Sequence, residues 1–87
     1  MGVVCGPMVA YRYPGLKSGA TGNVKLADNV TSPAVAQTYC DAKAKTATEP
    51  AYCGHAASTS QAWWYPKSVS TLNSYPSQPK YYAADCS

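Results

Sequence analysis

The sequence predicts a small α+β domain that is stapled by disulfide bonds, with short antiparallel strands and one helix near residues 33–46. Three observations lead to this fold class. The chain has 87 residues and four cysteines, its large aliphatic side chains are scarce, and Pro and Gly divide its apolar stretches into short pieces. Because this length is below that of a typical domain, we expect residues 1–87 to form a single domain.

The hydrophobic content of 46% is misleading, because fourteen of these residues are Ala and the chain has no Ile or Phe. Eight Tyr and two Trp supply the bulk that three Leu and seven Val cannot. This composition argues against a coiled coil, and no apolar stretch is long enough to span a bilayer. The net charge of +3 also argues against a polyelectrolyte tail. A core with so few large aliphatic side chains can bury little apolar area, so we expect the fold to need covalent cross-links.

Four cysteines, Cys5, Cys40, Cys53 and Cys86, are spread along the whole chain. Zinc sites use close pairs such as C-x-x-C, and the one histidine, His55, lies only two residues after Cys53. We therefore expect two disulfide bonds, no metal ion and no cofactor. Disulfides form in oxidising compartments, which predicts a secreted or extracellular protein.

The first residues lack the basic and apolar regions of a signal peptide. We expect a mature secreted domain to which Met1 has been added for expression.

Residues 5–40 and 53–86 are candidates for two half-repeats. Each segment starts with Cys-Gly, continues with an aromatic residue followed by x-Tyr-Pro and then Lys-Ser, and ends at a cysteine. The cysteine spacings are 35 and 33 residues. This similarity favours the pairs Cys5–Cys40 and Cys53–Cys86, while the other two connectivities remain open.

The first half of the chain predicts two strands. Residues 8–13 are apolar and aromatic and end at the turn signal Pro14-Gly15, and residues 24–26 alternate apolar with polar side chains.

The helix near 33–46 has signals at both ends. Ser32 is a good N-cap and Pro33 suits the first helical position. Lys43 and Lys45 complement the negative end of the helix dipole, and Pro50 follows.

In the second half we expect a loop or short helical turn at 55–61. Strands are expected at 62–65, ending at Pro66, at 69–72 and at 80–84.

Catalytic chemistry is poorly represented in the sequence. The four carboxylates are well separated and no serine has a nucleophile-elbow pattern. The seven Lys and Arg residues are scattered, so a nucleic-acid partner is not expected. We therefore expect a non-enzymatic protein with no membrane span.

The aromatic residues before prolines are the best candidates for a binding surface: Trp63, Trp64, Tyr65, Tyr11 and Tyr13. In a strand, Trp63 and Tyr65 share one face while Trp64 points to the other. An exposed aromatic face suits a sugar ring or a partner protein. The competing interpretation is that these rings form the core of a chain that lacks Ile and Phe.

The leading hypothesis is a secreted, non-enzymatic binding protein, such as an effector, toxin-like or lectin-like module. It would contact a cell-surface or host target, either a protein or a glycan, through this exposed aromatic surface. The alternative is a structural subunit of an extracellular filament, pilus or capsid-like assembly, in which the aromatics mediate self-association. It is suggested by a charged content of only 13% and an abundance of Ser, Thr and Ala.

We predict that the unfolded, unreduced protein has no reactive thiol, because all four cysteines are paired. Titration with a thiol reagent in denaturant measures this, and the same titration after reduction, which should find four thiols, is the control. Any reactive thiol before reduction contradicts the prediction.

Overall fold

The computed structural model describes residues 2–87, so Met1, the expected added residue, lies outside the described part. The described residues form one α-helix and seven strands, which confirms the α+β fold class. In chain order they are β1 (Val9–Ala10), β2 (Arg12–Leu16), β3 (Val24–Ala27), α1 (Pro33–Thr46), β4 (Ala51–Ala56), β5 (Gln61–Pro66), β6 (Ser70–Ser74) and β7 (Tyr81–Cys86). A 3-10 turn, Lys67–Val69, joins β5 to β6.

The strands form two antiparallel sheets. The larger sheet has the order β1-β7-β4-β5-β3, and β2 pairs with β6 in a separate ribbon, here called the β2–β6 ribbon. In the central strand β4, Cys53 lies opposite Trp64 of β5 and Ala84 of β7. Side chains alternate along β4, so Cys53 and Gly54 point to opposite faces of the sheet.

The larger sheet is covered on both faces. Cys53 is bonded to Cys40 of α1, which places the helix on one face. Pro14 of β2 packs against Gly54, which places the β2–β6 ribbon on the other. The domain therefore has three layers, in the order helix, sheet and ribbon.

Helix α1 begins and ends as the sequence predicts, at residues 33 and 46. The hydroxyl of Ser32 accepts a hydrogen bond from the Val35 N–H at 3.2 Å, which caps one of the free N–H groups of the first turn. At the other end Ala47 is extended. Both ends are fixed by interactions within a few residues.

The buried face of α1 is built from small residues four positions apart, Ala36, Cys40 and Ala44. Small side chains bring the helix axis close to the sheet, and Trp64 supplies most of the bulk between them. The core contains no buried Leu or Met in the described chain. It is therefore thin, as the composition predicted.

The two disulfide bonds are Cys5–Cys86 and Cys40–Cys53, so two bonds are confirmed but the favoured pairing was wrong. Cys5 lies directly opposite Cys86 because the two ends of the chain run antiparallel. Val4 and Ser87 exchange two backbone hydrogen bonds of 2.9 Å beside this bridge. The similar cysteine spacing in the two candidate half-repeats therefore did not determine the pairing. The N-terminal segment that contains Cys5 lies instead beside the end of β7, which contains Cys86.

The strand predicted at 8–13 is interrupted at Tyr11, whose φ of 66° is left-handed. There the chain leaves β1 of the larger sheet and enters β2 of the ribbon. Contrary to the prediction, β2 continues through Pro14 and Gly15. Proline is tolerated because β2 has a partner on one side only, so the missing N–H need not interrupt a ladder.

Strand β4 was not predicted, and its residue His55 was assigned to a loop. Ala, Cys, Gly and His have little intrinsic preference for strands, but pairing with β5 and β7 on both sides holds this segment extended. The other predicted strands are present with shifted ends. In particular, β6 and β7 each start one residue later than expected.

We predict that Gly54→Ala destabilises the protein by roughly 1–3 kcal/mol, the usual cost of overpacking. A Cβ at this position would lie 2.8 Å from Pro14 Cδ and 3.0 Å from Tyr13 Cε1. The proline ring is rigid, so β2 must move. Denaturant unfolding of the oxidised protein measures the change.

The matched control is Gly6→Ala, whose added Cβ meets only the Asp85 carbonyl oxygen at an ordinary 3.5 Å. Equal stability of the two variants would show that the ribbon does not depend on close contact with β4.

Candidate functional site

Five aromatic side chains form a continuous row on the ribbon side of the larger sheet. This aromatic row consists of Trp63, Tyr65, Tyr13, Tyr81 and Tyr75. Neighbouring ring centroids are 5.1–6.4 Å apart, in tilted or edge-to-face geometry. Such pairs contribute about 0.5–1.5 kcal/mol each beyond their buried area. The rings therefore hold one another in fixed positions.

The row collects residues from four parts of the chain. Trp63 and Tyr65 come from β5, Tyr13 from β2 and Tyr81 from the start of β7, while Tyr75 follows β6. The alternation predicted for β5 is present, since Trp63 and Tyr65 lie in the row and Trp64 points to the helix side. The row thus spans the junction between the larger sheet and the ribbon.

The predicted contact residues differ in exposure. Trp63, Tyr65 and Tyr13 are half-buried, so each ring contributes both packing and surface. Trp64 is only 3% exposed and lies in the core with Cys53. Its ring is covered in this fold, so Trp64 is a packing residue and not part of the surface row.

Tyr11 is 46% exposed but its ring is not in the row. Its N–H donates to the Tyr81 carbonyl at 2.8 Å, and its own carbonyl accepts from the Tyr75 N–H at 2.7 Å. Left-handed backbone costs about 1–2 kcal/mol for a residue other than glycine. Through these two hydrogen bonds, Tyr11 connects Tyr81 and Tyr75 of the row to the point where the chain passes from the larger sheet into the ribbon.

Sequence reasoning missed Tyr75 and Tyr81. A signal for Tyr75 was present, because the chain contains three Tyr-Pro dipeptides, at positions 13, 65 and 75. All three of these tyrosines lie in the row. Tyr81 carries no comparable signal, and its membership depends on the register of β7.

A chain of polar contacts fixes the indole at one end of the row. Trp63 Nε1 donates to Gln61 Oε1 at 2.9 Å, and Gln61 Nε2 donates to Asp28 Oδ1 at 3.0 Å. Lys25 is 3.2 Å from Asp28. Hydrogen bonds from Lys25 and Gln61 lower the pKa of Asp28 below its ordinary value. The charge beside Trp63 is therefore already paired.

A second ion pair lies beside Tyr65, around its cross-strand neighbour Tyr52. Lys67 Nζ is 5.0 Å from the Tyr52 ring centroid, and it donates to Asp85 Oδ1 at 2.6 Å and to Ser87 Oγ at 2.9 Å. The hydrogen bond from Lys67 is the main cause that lowers the pKa of Asp85. Both charges are satisfied within the protein.

The row consists of phenol and indole rings and contains no lysine, arginine or carboxylate side chain. Burial raises the pKa of Tyr13, and the neighbouring phenols of Tyr65 and Tyr81 raise it further. The Tyr13 phenol therefore loses its proton less readily than the phenol of a free tyrosine. The row is an uncharged aromatic surface, flanked on the Trp63 and Tyr65 side by neutralised ion pairs.

Other chemical groups are sparse in residues 2–87. No group of three His, Cys, Asp or Glu side chains in this range is close enough to hold a metal ion. All four cysteines are in disulfide bonds. His55 is 1% exposed, and its Nε2 lies 2.8 Å from the Val30 carbonyl oxygen.

Comparison of the chain with models of protein families, with curated proteins and with solved structures found no match. The helix in the described residues is not long and apolar enough to cross a membrane. Geometry and chemistry of the aromatic row are therefore the basis for proposing a function.

We predict that Lys67→Met raises the pKa of Asp85 towards its ordinary value of 3.8. In the wild type the folded-state pKa is lowered, so the ion pair stabilises the fold above the unfolded pKa. This stabilisation is lost as the pH falls through the folded pKa. Because Asp85 is largely exposed, we expect a contribution below about 1 kcal/mol.

Carboxyl NMR titration measures the pKa, and acid unfolding measures the stability. Lys80→Met removes the same charge from an exposed lysine that belongs to neither ion pair of the described residues, and it should change neither quantity. An identical Asp85 titration midpoint in wild type and Lys67→Met would overturn the assignment.

Proposed function

We propose that this chain is a secreted, non-enzymatic binding protein that contacts a protein or glycan on a cell surface through the aromatic row. The observation that carries this proposal is the row itself. Five half-buried rings, from four separate parts of the chain, lie in mutual contact on one side of the sheet.

The row is suited to binding because its rings are already ordered. Tyr and Trp offer large contact areas with few rotatable bonds, so little conformational entropy is lost when a ligand binds. The hydrogen bond from Trp63 to Gln61 removes part of the remaining freedom. A ligand with a flat apolar face and hydroxyl or amide groups at its edges matches this surface.

Two disulfide bonds in a small domain support an extracellular location. Such bonds persist in oxidising compartments and are characteristic of small secreted domains. Cys40, Cys53 and Cys86 are fully buried, which protects the bonds from reductants.

The state of the ionisable groups supports a role without catalysis. Asp28 and Asp85 are each paired with a lysine. His55 is covered and uses one nitrogen for the Val30 carbonyl. These groups are occupied in holding the fold, whereas a general acid or base must reach a substrate.

A structural subunit of an extracellular assembly is the second candidate. It is favoured by β3, an edge strand of the larger sheet, and by exposed apolar side chains at Val4, Val9 and Val24. Unpaired strand edges are templates for pairing with another copy. On this alternative the protein self-associates, and the row serves as a contact between copies.

We predict that Trp63→Ala weakens binding to a glycan or protein ligand at least tenfold, which corresponds to about 1.4 kcal/mol. A glycan array and a cell-binding assay with the wild type identify the ligand. Trp63→Phe keeps a ring and should retain more affinity than Trp63→Ala. Tyr39→Ser, which changes an exposed tyrosine of α1, is the matched control and should bind normally.

Full binding by a folded Trp63→Ala variant would exclude the row as the binding surface. Sedimentation velocity across a range of concentrations separates the two functions. A monomer at high concentration contradicts the assembly alternative. Concentration-dependent oligomers that bind no cell or glycan contradict the binding-module proposal.

A further inference from the structure

The loop that follows β3 contains an acceptor pattern for N-linked glycosylation. Asn29, Val30 and Thr31 match Asn-x-Ser/Thr, in which x is any residue except proline. The chain has two other asparagines, Asn23 and Asn73, and neither has Ser or Thr two positions later. Asn29 is therefore the one asparagine of the chain in this pattern.

The two residues that define the acceptor are exposed, while the residue between them is anchored. Asn29 and Thr31 lie at the surface, and Val30 is only 1% exposed. The Val30 N–H donates to the Ser60 carbonyl at 2.9 Å, and the Val30 carbonyl oxygen lies 2.8 Å from His55 Nε2. Val30 thus fixes the loop to the domain and leaves the acceptor residues on either side accessible.

The Asn29 amide and the Thr31 hydroxyl are not used by the fold. Asp28, before them, accepts a hydrogen bond from Gln61 Nε2, and Ser32, after them, caps α1. Within residues 2–87 no side-chain hydrogen bond involves Asn29 or Thr31. A modification of the Asn29 amide therefore breaks no contact that holds the domain together.

The backbone of Asn29 offers a second reason for an asparagine at this position. Its φ of 58° is left-handed, and asparagine adopts this conformation more readily than most residues other than glycine. Conformation alone explains Asn29, but it gives no reason for an exposed hydroxyl residue at Thr31. The two explanations make different predictions for substitutions at these positions.

The acceptor also lies beside an open edge of the larger sheet. Among the described residues β3 is the last strand in the sheet order, and it ends at Ala27, two residues before Asn29. Two residues span at most about 7 Å, so a bulky glycan on Asn29 would reach the end of β3. Natural proteins cover such unpaired edges, because they are templates for pairing with another copy.

We propose that Asn29 receives an N-linked glycan in a eukaryotic secretory pathway, and that this glycan obstructs pairing of β3 with a second copy. The co-substrate is an oligosaccharide linked to a lipid through pyrophosphate. The Asn29 amide nitrogen loses a proton and forms a bond to C1 of the first sugar. The bond between C1 and the pyrophosphate oxygen breaks, and its electron pair leaves with the lipid pyrophosphate.

This modification bears on the choice between the two candidate functions. The proposal rests on the extracellular location proposed above, but not on any ligand of the aromatic row. The assembly alternative uses the β3 edge as a contact between copies, and a bulky glycan beside that edge hinders such pairing. A glycan at Asn29 therefore favours the monomeric binding protein over the structural subunit.

Expression of the full chain in eukaryotic cells, behind a cleavable signal peptide, tests the modification. We expect one glycan, seen as a loss of mass after treatment with a peptide N-glycosidase and mapped to Asn29 by peptide mass spectrometry. Asn29→Gln and Thr31→Ala should abolish this loss of mass. Thr31→Ser keeps the acceptor pattern and should retain the glycan.

Two controls separate the acceptor from the backbone conformation. Asn29→Gly keeps a residue that tolerates positive φ, so this variant should fold without a glycan. Asn23 is also followed by valine, but Lys25 stands at the third position, so Asn23 should remain unmodified. The modification is overturned if chain recovered from the secretory pathway, in cells or medium, has no glycan on Asn29. A glycan on Asn29 that survives Thr31→Ala also overturns it.

Sedimentation velocity of the purified proteins tests the effect on β3. Glycosylated wild type should self-associate at least tenfold more weakly than unglycosylated Thr31→Ala. Equal association of the two proteins overturns the obstruction of β3. Neither measurement uses a ligand, so an aromatic row that binds nothing contradicts the function proposed above and leaves the glycan unaffected. A missing glycan, in turn, leaves binding by the row unaffected.

Discussion

The close approach of the helix and the ribbon to the central strand β4 is the constraint on which the rest of the structure depends. It is possible because the two residues at the middle of β4, Cys53 and Gly54, are small and lie on opposite faces. Gly54 admits the rigid ring of Pro14 on one face, and Cys53 reaches Cys40 of α1 on the other. With layers this close, alanines fill the core and large aliphatic residues are not needed. The cost is a small buried apolar area and hence a small hydrophobic contribution to stability.

The two disulfide bonds offset this small hydrophobic contribution, and they close loops of very different lengths. The Cys5–Cys86 bridge spans 81 residues and closes nearly the whole chain into a ring, whereas Cys40–Cys53 spans 13. In the chain-entropy model the first contributes roughly 4–5 kcal/mol and the second about 3 kcal/mol. These values are comparable with the whole net stability of a small domain. The Cys40–Cys53 bond fixes α1 onto β4. The Cys5–Cys86 bond joins the segment before β1 to the end of β7.

A thin core also explains where the partly exposed aromatic rings lie. Bulky aromatic rings cannot all be accommodated between the helix and the sheet, where Trp64 already fills the space. Five of the nine other Trp and Tyr residues collect at the junction of sheet and ribbon, where they pack against one another and remain partly exposed.

The sequence by itself determined the features that depend on neighbours along the chain. Helix α1 was predictable at both ends because its cap, its first proline and its last-turn lysines act within one or two turns. The alternation of Trp63 and Trp64 was predictable because a strand has a period of two. Three of the five row residues, Trp63, Tyr65 and Tyr13, were foreseen because they belong to the aromatic segments that precede Pro14 and Pro66. The tertiary structure alone decided the disulfide pairing, the strand character of β4 and the inclusion of Tyr81 in the row. Each of these depends on contacts between residues far apart in sequence, and a local pattern carries no information about which distant segments meet.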